Sequence, residues 1–184
     1  MNILHIFNDY STPGERALAG EVSVPTVVYY LAKHAADKGH DVTIIERDFN
    51  ELPKEEEIDG IRYVRFSADR LPKAPYELIK NIHGIFRLIR DGFDVANKLN
   101  RFVKENDFDI VHVHFPFASS IFINLNRNLN RKLRDKMVYT AHIGEEKKRF
   151  ALDSSAPLAT KLFSPDLYLM KRVRKSVVLN ELLK

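Results

Sequence analysis

The sequence predicts an open, doubly wound α/β sheet of parallel strands, and three observations carry that prediction. Residues 3 to 45 run strand, polar loop, helix, glycine, strand, which is a βαβ unit with parallel strands. Residues 109 to 115 are nearly continuous in apolar or β-favouring side chains, as in a central strand covered on both faces. Strand-sized and helix-sized apolar patterns alternate along the rest of the chain. Right-handed crossovers then order six or more strands as 3-2-1-4-5-6 in one domain.

Strand one is Ile3-Leu4-His5-Ile6-Phe7, and the turn formers from Asn8 to Gly14 end it. Val24, Val27, Val28, Leu31, Ala32 and Ala35 recur at helical spacing, with Gly39 as a left-handed cap. Asp41 to Ile45 is a β-branched second strand. Residues 50 to 60 carry an acidic run ending in Asp59-Gly60 and read as a solvated surface connection. Ile61 to Phe66 alternates as strand three.

A helical pattern follows from about Tyr76 to Asn106. Its expected buried stripe is Leu78, Ile79, Ile82, Ile85, Phe86, Ile89, Phe93, Leu99, Phe102 and Val103, and Gly84 and Gly92 kink or divide it. Strand four is Asp109 to Phe115. A helix over roughly 118–134, strand five at Met137 to Ala141, a helix near 165–175 capped by Ser164 with Pro165, and strand six at Ser176 to Leu179 complete the pattern.

The 184 residues include no cysteine, which removes disulfides, thiolate metal sites and cysteine nucleophiles, and fits a reducing compartment. No apolar stretch is long enough to span a bilayer, and the chain opens on a strand rather than a basic leader. A cytoplasmic location is therefore expected. Residues 1 to 60 hold 5 basic and 12 acidic side chains, and the remainder 24 basic and 13 acidic. That basic field attracts phosphates, nucleic acid or anionic lipid where it is not simply a solvated surface; beside that plain reading stands peripheral contact with an anionic membrane face, aided by the amphipathic stretch 78–90 with Lys80, Arg87 and Arg90. No aromatic interleaving supports a nucleic-acid stacking platform.

Ligands of doubly wound sheets bind outside the carboxyl ends of the strands where strand order reverses, so loops 8–23, 114–120 and 142–160 matter most. Gly14 and Gly20 are separated by five residues in the first loop, the signature of neither a dinucleotide fold nor a P-loop; they read either as close approach to a ligand beside the helix N-terminus or as simple turn chemistry. His112 and His114 share one face of strand four as two metal ligands would, but with no third ligand arranged near them no metal is expected. His112 is expected in the core and His114 at the cleft. His142 ends strand five toward the same crevice, either donating to a ligand or capping the strand.

Met1-Asn2-Ile3-Leu4-His5-Ile6, Lys38-Gly39-His40-Asp41-Val42-Thr43, Phe108-Asp109-Ile110-Val111-His112-Val113-His114 and Val138-Tyr139-Thr140-Ala141-His142 resemble, in this order and spacing, the N-terminal domain of family 4 glycosyltransferases of the GT-B fold. The resemblance runs nearly end to end. It implies a Rossmann-like, acceptor-side domain over residues 1–184 of a retaining glycosyltransferase, which moves a sugar from a nucleotide-sugar donor to a sugar, lipid or small-molecule acceptor without a metal or other cofactor. His142 matches the family's histidine near the donor sugar and phosphates. Gly14, Gly20 and Glu21 in the first loop, His114, Phe115 and Pro116 in the second, and Gly144 in the third are the implied substrate-binding positions.

The stretch Leu18-Ala19-Gly20-Glu21-Val22-Ser23 departs from the family's adjacent glycines before helix one. The resemblance also implies a C-terminal donor-binding domain that this sequence lacks, so the expectation is a piece of a two-domain enzyme or a half-enzyme with a companion subunit, inactive alone. Two other classes fit the residues: a non-enzymatic Rossmann-like module with a basic surface for nucleic acid or anionic membrane, and a GT-B-like sugar-nucleotide epimerase.

Overall fold

A computed structural model describes residues 1–7, 23–48, 52–67, 78, 81–114, 131–141 and 173–178. In chain order the elements are β1 (Asn2–Phe7), α1 (Ser23–Asp37), β2 (Asp41–Asp48), β3 (Glu55–Ile58), β4 (Ile61–Ser67), α2 (Ile82–Glu105), β5 (Ile110–Val113), β6 (Met137–Ala141) and β7 (Lys175–Val178). They form one sheet ordered β3-β4-β2-β1-β5-β6-β7. Every pairing is parallel except β3 with β4. Without β3 this is the expected 3-2-1-4-5-6 arrangement.

Each crossover has a local cause. Helix α1 ends in a Schellman motif: Gly39, at φ 79°, donates to Ala36 O at 2.8 Å while His40 donates to Ala35 O at 3.2 Å. The cap turns the chain into β2, whose Val42 pairs with Ile3 of β1. Helix α2 starts at Asn81, whose side chain accepts from the Gly84 amide at 2.7 Å, and it runs unbroken for 24 residues. A Cβ on Gly84 would lie 2.1 Å from the Leu78 carbonyl oxygen, so glycine here admits the preceding segment.

The core has one cluster on each face of the sheet. One gathers Leu4, Ile6, Val111, Val113 and Tyr139 beneath Val95, Ala96, Leu99 and Val103 of α2. The other gathers Phe7, Val42, Ile44, Ile61 and Tyr63 beneath Val28, Tyr29 and Ala32 of α1.

Three sequence expectations are corrected. The acidic run is a strand rather than a solvated loop: Asp59 (φ 53°) and Gly60 (φ 76°) form the tight turn of a hairpin between β3 and β4. What holds it is Arg65, a buried side chain of β4, which donates to Glu46 of β2 at 2.6 Å, to Pro53 O at 2.6 Å and to Glu56 of β3. In α2, Ile82, Phe86, Ile89 and Phe93 belong to no buried stripe and are 46–65% exposed. The helix is too long for the sheet: 24 residues reach about 36 Å, whereas the 7 residues of β4 reach about 23 Å. Finally, residues 131–136 are a 3₁₀ helix, where the tail of the 118–134 α-helix was expected; residues 115–130 and the 165–172 part of the later helix lie outside the described residues.

Removing one partner of a buried ion pair strands the other. Arg65→Ala should therefore lower the unfolding free energy by about 3 kcal/mol or more in urea titrations. Arg62→Ala, which breaks the exposed Arg62–Glu55 pair of the same hairpin, should cost less than about 1 kcal/mol.

Candidate functional site

Strand order reverses at β1, which lies between β2, reached through α1, and β5, reached through α2. Because β1, β5 and β6 are parallel neighbours, the chain leaves Phe7, Val113 and Ala141 at one edge of the sheet. That carboxyl edge is where such folds bind ligands.

Side chains alternate along β1 and β5, so Leu4, Ile6, Val111 and Val113 enter the α2-side core while His5, His112 and His114 share the opposite face. His5 and His112 are register partners across the pair. The three rings touch: centroids lie 5.1 Å apart for His5–His112, 5.3 Å for His5–His114 and 4.2 Å for His112–His114. Nδ1 of His5 and Nε2 of His114 are hydrogen-bonded at 3.0 Å, and Nε2 of His112 bonds Oγ1 of Thr140 on β6 at 2.7 Å. The result is a polar seam across three strands, with imidazoles from β1 and β5 and a hydroxyl from β6.

Burial determines its protonation. His5 and His114 are 3% and 1% exposed. Desolvation, with the charge of His112 second, lowers the His5 pKa from 6.5 to about 3, so at neutral pH this ring is uncharged and offers one donor and one acceptor nitrogen. The bond between His5 and His114 needs one N–H shared between the two nitrogens.

The seam bears on one further expectation. His114 itself is buried at the end of β5, packed against His5. A third imidazole does join His112 and His114: each of the three rings offers a nitrogen, all within 4.8 Å of one another. Three imidazole nitrogens are a donor set that suits zinc, copper or nickel. The 3.0 Å contact and the Thr140 bond equally satisfy two pairs of polar atoms within the protein. Sequence reading passed over His5 and Thr140 because each sits singly in a strand. The signal lay in the pairing order, which brings residue 5 beside residue 112. The other expected positions, His142, Gly14, Gly20, Glu21, Phe115, Pro116 and Gly144, lie outside the described residues.

Two hollows mark the described surface. A groove of about 830 Å³ follows α2 and includes Phe86, Arg87, Arg90, Asp91, Asp94 and Lys98. It runs toward the carboxyl edge, since Lys98 donates to the carbonyl of Ser67, the last residue of β4, at 2.7 Å. The second, of about 460 Å³ around Asn2, Asp41 and Asp107, lies at the amino ends of the strands, away from the switch-point edge.

The family model described as Glycosyltransferase Family 4 matches residues 24–181. Among solved structures, the sucrose-phosphate synthase from Thermosynechococcus elongatus is similar in fold, with a TM-score of 0.63 at 13% identity over 95% of this chain. The chain spans 41% of that protein's length. No curated protein sequence matches the chain significantly.

The His5 shift fixes a pH dependence. The unfolded ring takes up a proton near pH 6.5 and the folded ring only near about 3, so between these values the unfolded state binds more protons. Its contribution to stability is complete above about pH 6.5 and falls with pH below it, by up to about 1.4 kcal/mol per pH unit. In urea titrations at pH 7.5 and 5, His5→Asn should be less stable than the parent at the higher pH and lose less on acidification.

Proposed function

The chain belongs to glycosyltransferase family 4, and from that premise we propose that it is the acceptor-side half of a retaining enzyme that transfers a sugar from a nucleotide-sugar donor. The acceptor is a sugar, a lipid or a small molecule, and the cleft is shared with a C-terminal domain or companion subunit that holds most of the nucleotide. The observation that carries this reading is the family match over residues 24–181, laid on a sheet whose order reverses at β1. Three chain segments start from one edge there, as a two-walled cleft requires.

The chemistry follows from charge. Breaking the bond between sugar and diphosphate builds negative charge on the leaving oxygens, so a positioned donor lowers the barrier only where it meets that charge. His142 follows directly on Ala141, the last residue of β6, and is the side chain we assign to that role. The loops bearing Gly14, Gly20 and Glu21, Phe115 and Pro116, and Gly144 form the rest of this wall. His5 fixes the ring of His114 from behind through the bond at 3.0 Å. Closure of the second domain excludes water and completes the site. The reaction needs no metal, and the absence of cysteine from the chain favours a cytoplasmic setting.

In the complete two-domain enzyme, His142→Ala should lower kcat roughly 100-fold while leaving the urea midpoint nearly unchanged. The sugar's anomeric configuration should be retained in the product, and turnover should survive EDTA. Unchanged kcat would take His142 out of the mechanism, and inversion or loss of activity in EDTA would overturn the corresponding parts of the reading.

A further inference from the structure

The amino-terminal half of α2 is built unlike the rest of the molecule. The core beneath the helix takes Val95, Ala96, Leu99 and Val103 from it, and among the described residues nothing from α2 before Val95. The carboxyl end of α2 is fixed at the amino edge of the sheet, where Asn106 caps it and Asp109 donates to Asn2 O at 2.8 Å. Running back over β2, about 10 Å shorter than itself, and β4, about 13 Å shorter, the helix must project past their carboxyl ends.

On that projection Ile82, Phe86, Ile89 and Phe93, spaced 4, 3 and 4 residues apart, fall within an arc of about 60° at 100° per residue, and they are 59%, 65%, 46% and 47% exposed. His83, Arg87, Arg90 and Arg101 lie along one flank of the stripe, all exposed. Asp91 and Asp94, the acidic residues of this stretch, are bound elsewhere, to Arg47 at 2.7 Å and Lys98 at 2.6 Å. Among the described residues no carboxylate pairs with Arg87 or Arg90. The flank therefore presents positive charge beside large apolar side chains.

We propose that this projecting half of α2 is a docking face for an anionic lipid bilayer, lying in the interface with Ile82, Phe86, Ile89 and Phe93 among the acyl chains and Arg87 and Arg90 against the lipid phosphates. The charge complementarity chooses the occupant: an apolar stripe flanked by cations matches the layered order of acyl chain and phosphate. Size argues the same way. Four side chains about half exposed offer roughly 400 Å², near half of what one partner in a stable protein interface buries. The helix is an interfacial element, since no described helix is long and apolar enough to cross a membrane. Docking there would hold the carboxyl edge of the sheet close to the bilayer. The proposal stands apart from the sugar-transfer reading, because lipid binding is measured without donor or acceptor.

The test is flotation of the 184-residue chain with vesicles of phosphatidylcholine alone and with one-third phosphatidylglycerol. Binding is expected only to the anionic vesicles and should weaken as salt is raised. Phe86→Ser with Phe93→Ser should lower the partition about tenfold, and Arg87→Gln with Arg90→Gln should lower it and flatten the salt dependence. Both pairs are exposed, so unchanged circular dichroism and urea midpoints are expected and exclude misfolding as the cause. If the serine pair misfolds, Phe86→Tyr with Phe93→Tyr gives a milder second reading of the same surface. No flotation of the parent chain, or equal flotation of parent and a folded serine variant, overturns the proposal. So does a concentration-dependent dimer that the serine pair abolishes, in a chain that ignores vesicles, which would assign the face to a second copy.

Discussion

The parallel pairing of β1 with β2 on one side and β5 on the other is the constraint from which the rest follows. The two pairs occupy the two edges of β1, with Ile3 to Ile6 in register with Val42 to Ile45 on one side and with Ile110 to Val113 on the other. A strand bonded on both edges and covered on both faces leaves its neighbours no freedom of register, because a slip of one residue would carry Leu4 and Ile6 out of the α2-side core. The same pairing makes β1 the place where strand order reverses. It also sets His5 beside His112. Core, crevice edge and imidazole seam are therefore consequences of one set of backbone bonds.

The seam is energetically unusual. A buried sheet face would ordinarily carry valine or isoleucine, and β1 and β5 do so on their other side. Imidazoles there are tolerated because desolvation holds His5 uncharged and because each described polar contact has an internal partner, His5 with His114 and His112 with Thr140. Such a network rigidifies the strand ends it joins. It ties His114, at the end of β5, to the middle of β1.

Where a structural signal was local, it could be read from sequence. The β-branched run of β2, the spacing of Val28 and Ala32, the left-handed Gly39 and the apolar run of β5 each follow from side chains close in sequence, and the strand order followed from their succession. The failures have non-local causes. Three consecutive glutamates look solvated until Arg65, buried one strand away, donates to Glu56 among them while also pairing with Glu46 of β2. The stripe from Ile82 to Phe93 has the right period for burial, but periodicity does not report where the opposing sheet ends. His5 gains its meaning only from a contact 109 residues distant.

These departures share a direction. A sequence that obeys burial rules along most of its length breaks them in two opposite ways, with polar rings inside at His5 and His114 and a stripe of large apolar side chains outside at Ile82, Phe86, Ile89 and Phe93. Stability accounts for neither: aliphatic side chains would pack the first more cheaply, and polar ones would solvate the second. Both lie toward the carboxyl side of the sheet, the seam reaching it at the end of β5 and the stripe projecting beyond β4. The amino edge of the sheet, with Asn2, Asp41 and Asp107 on its rim, follows the ordinary rule of polar outside. Since local rules are broken where function competes with folding, the asymmetry between the two edges separates the working side of this domain from its supporting side.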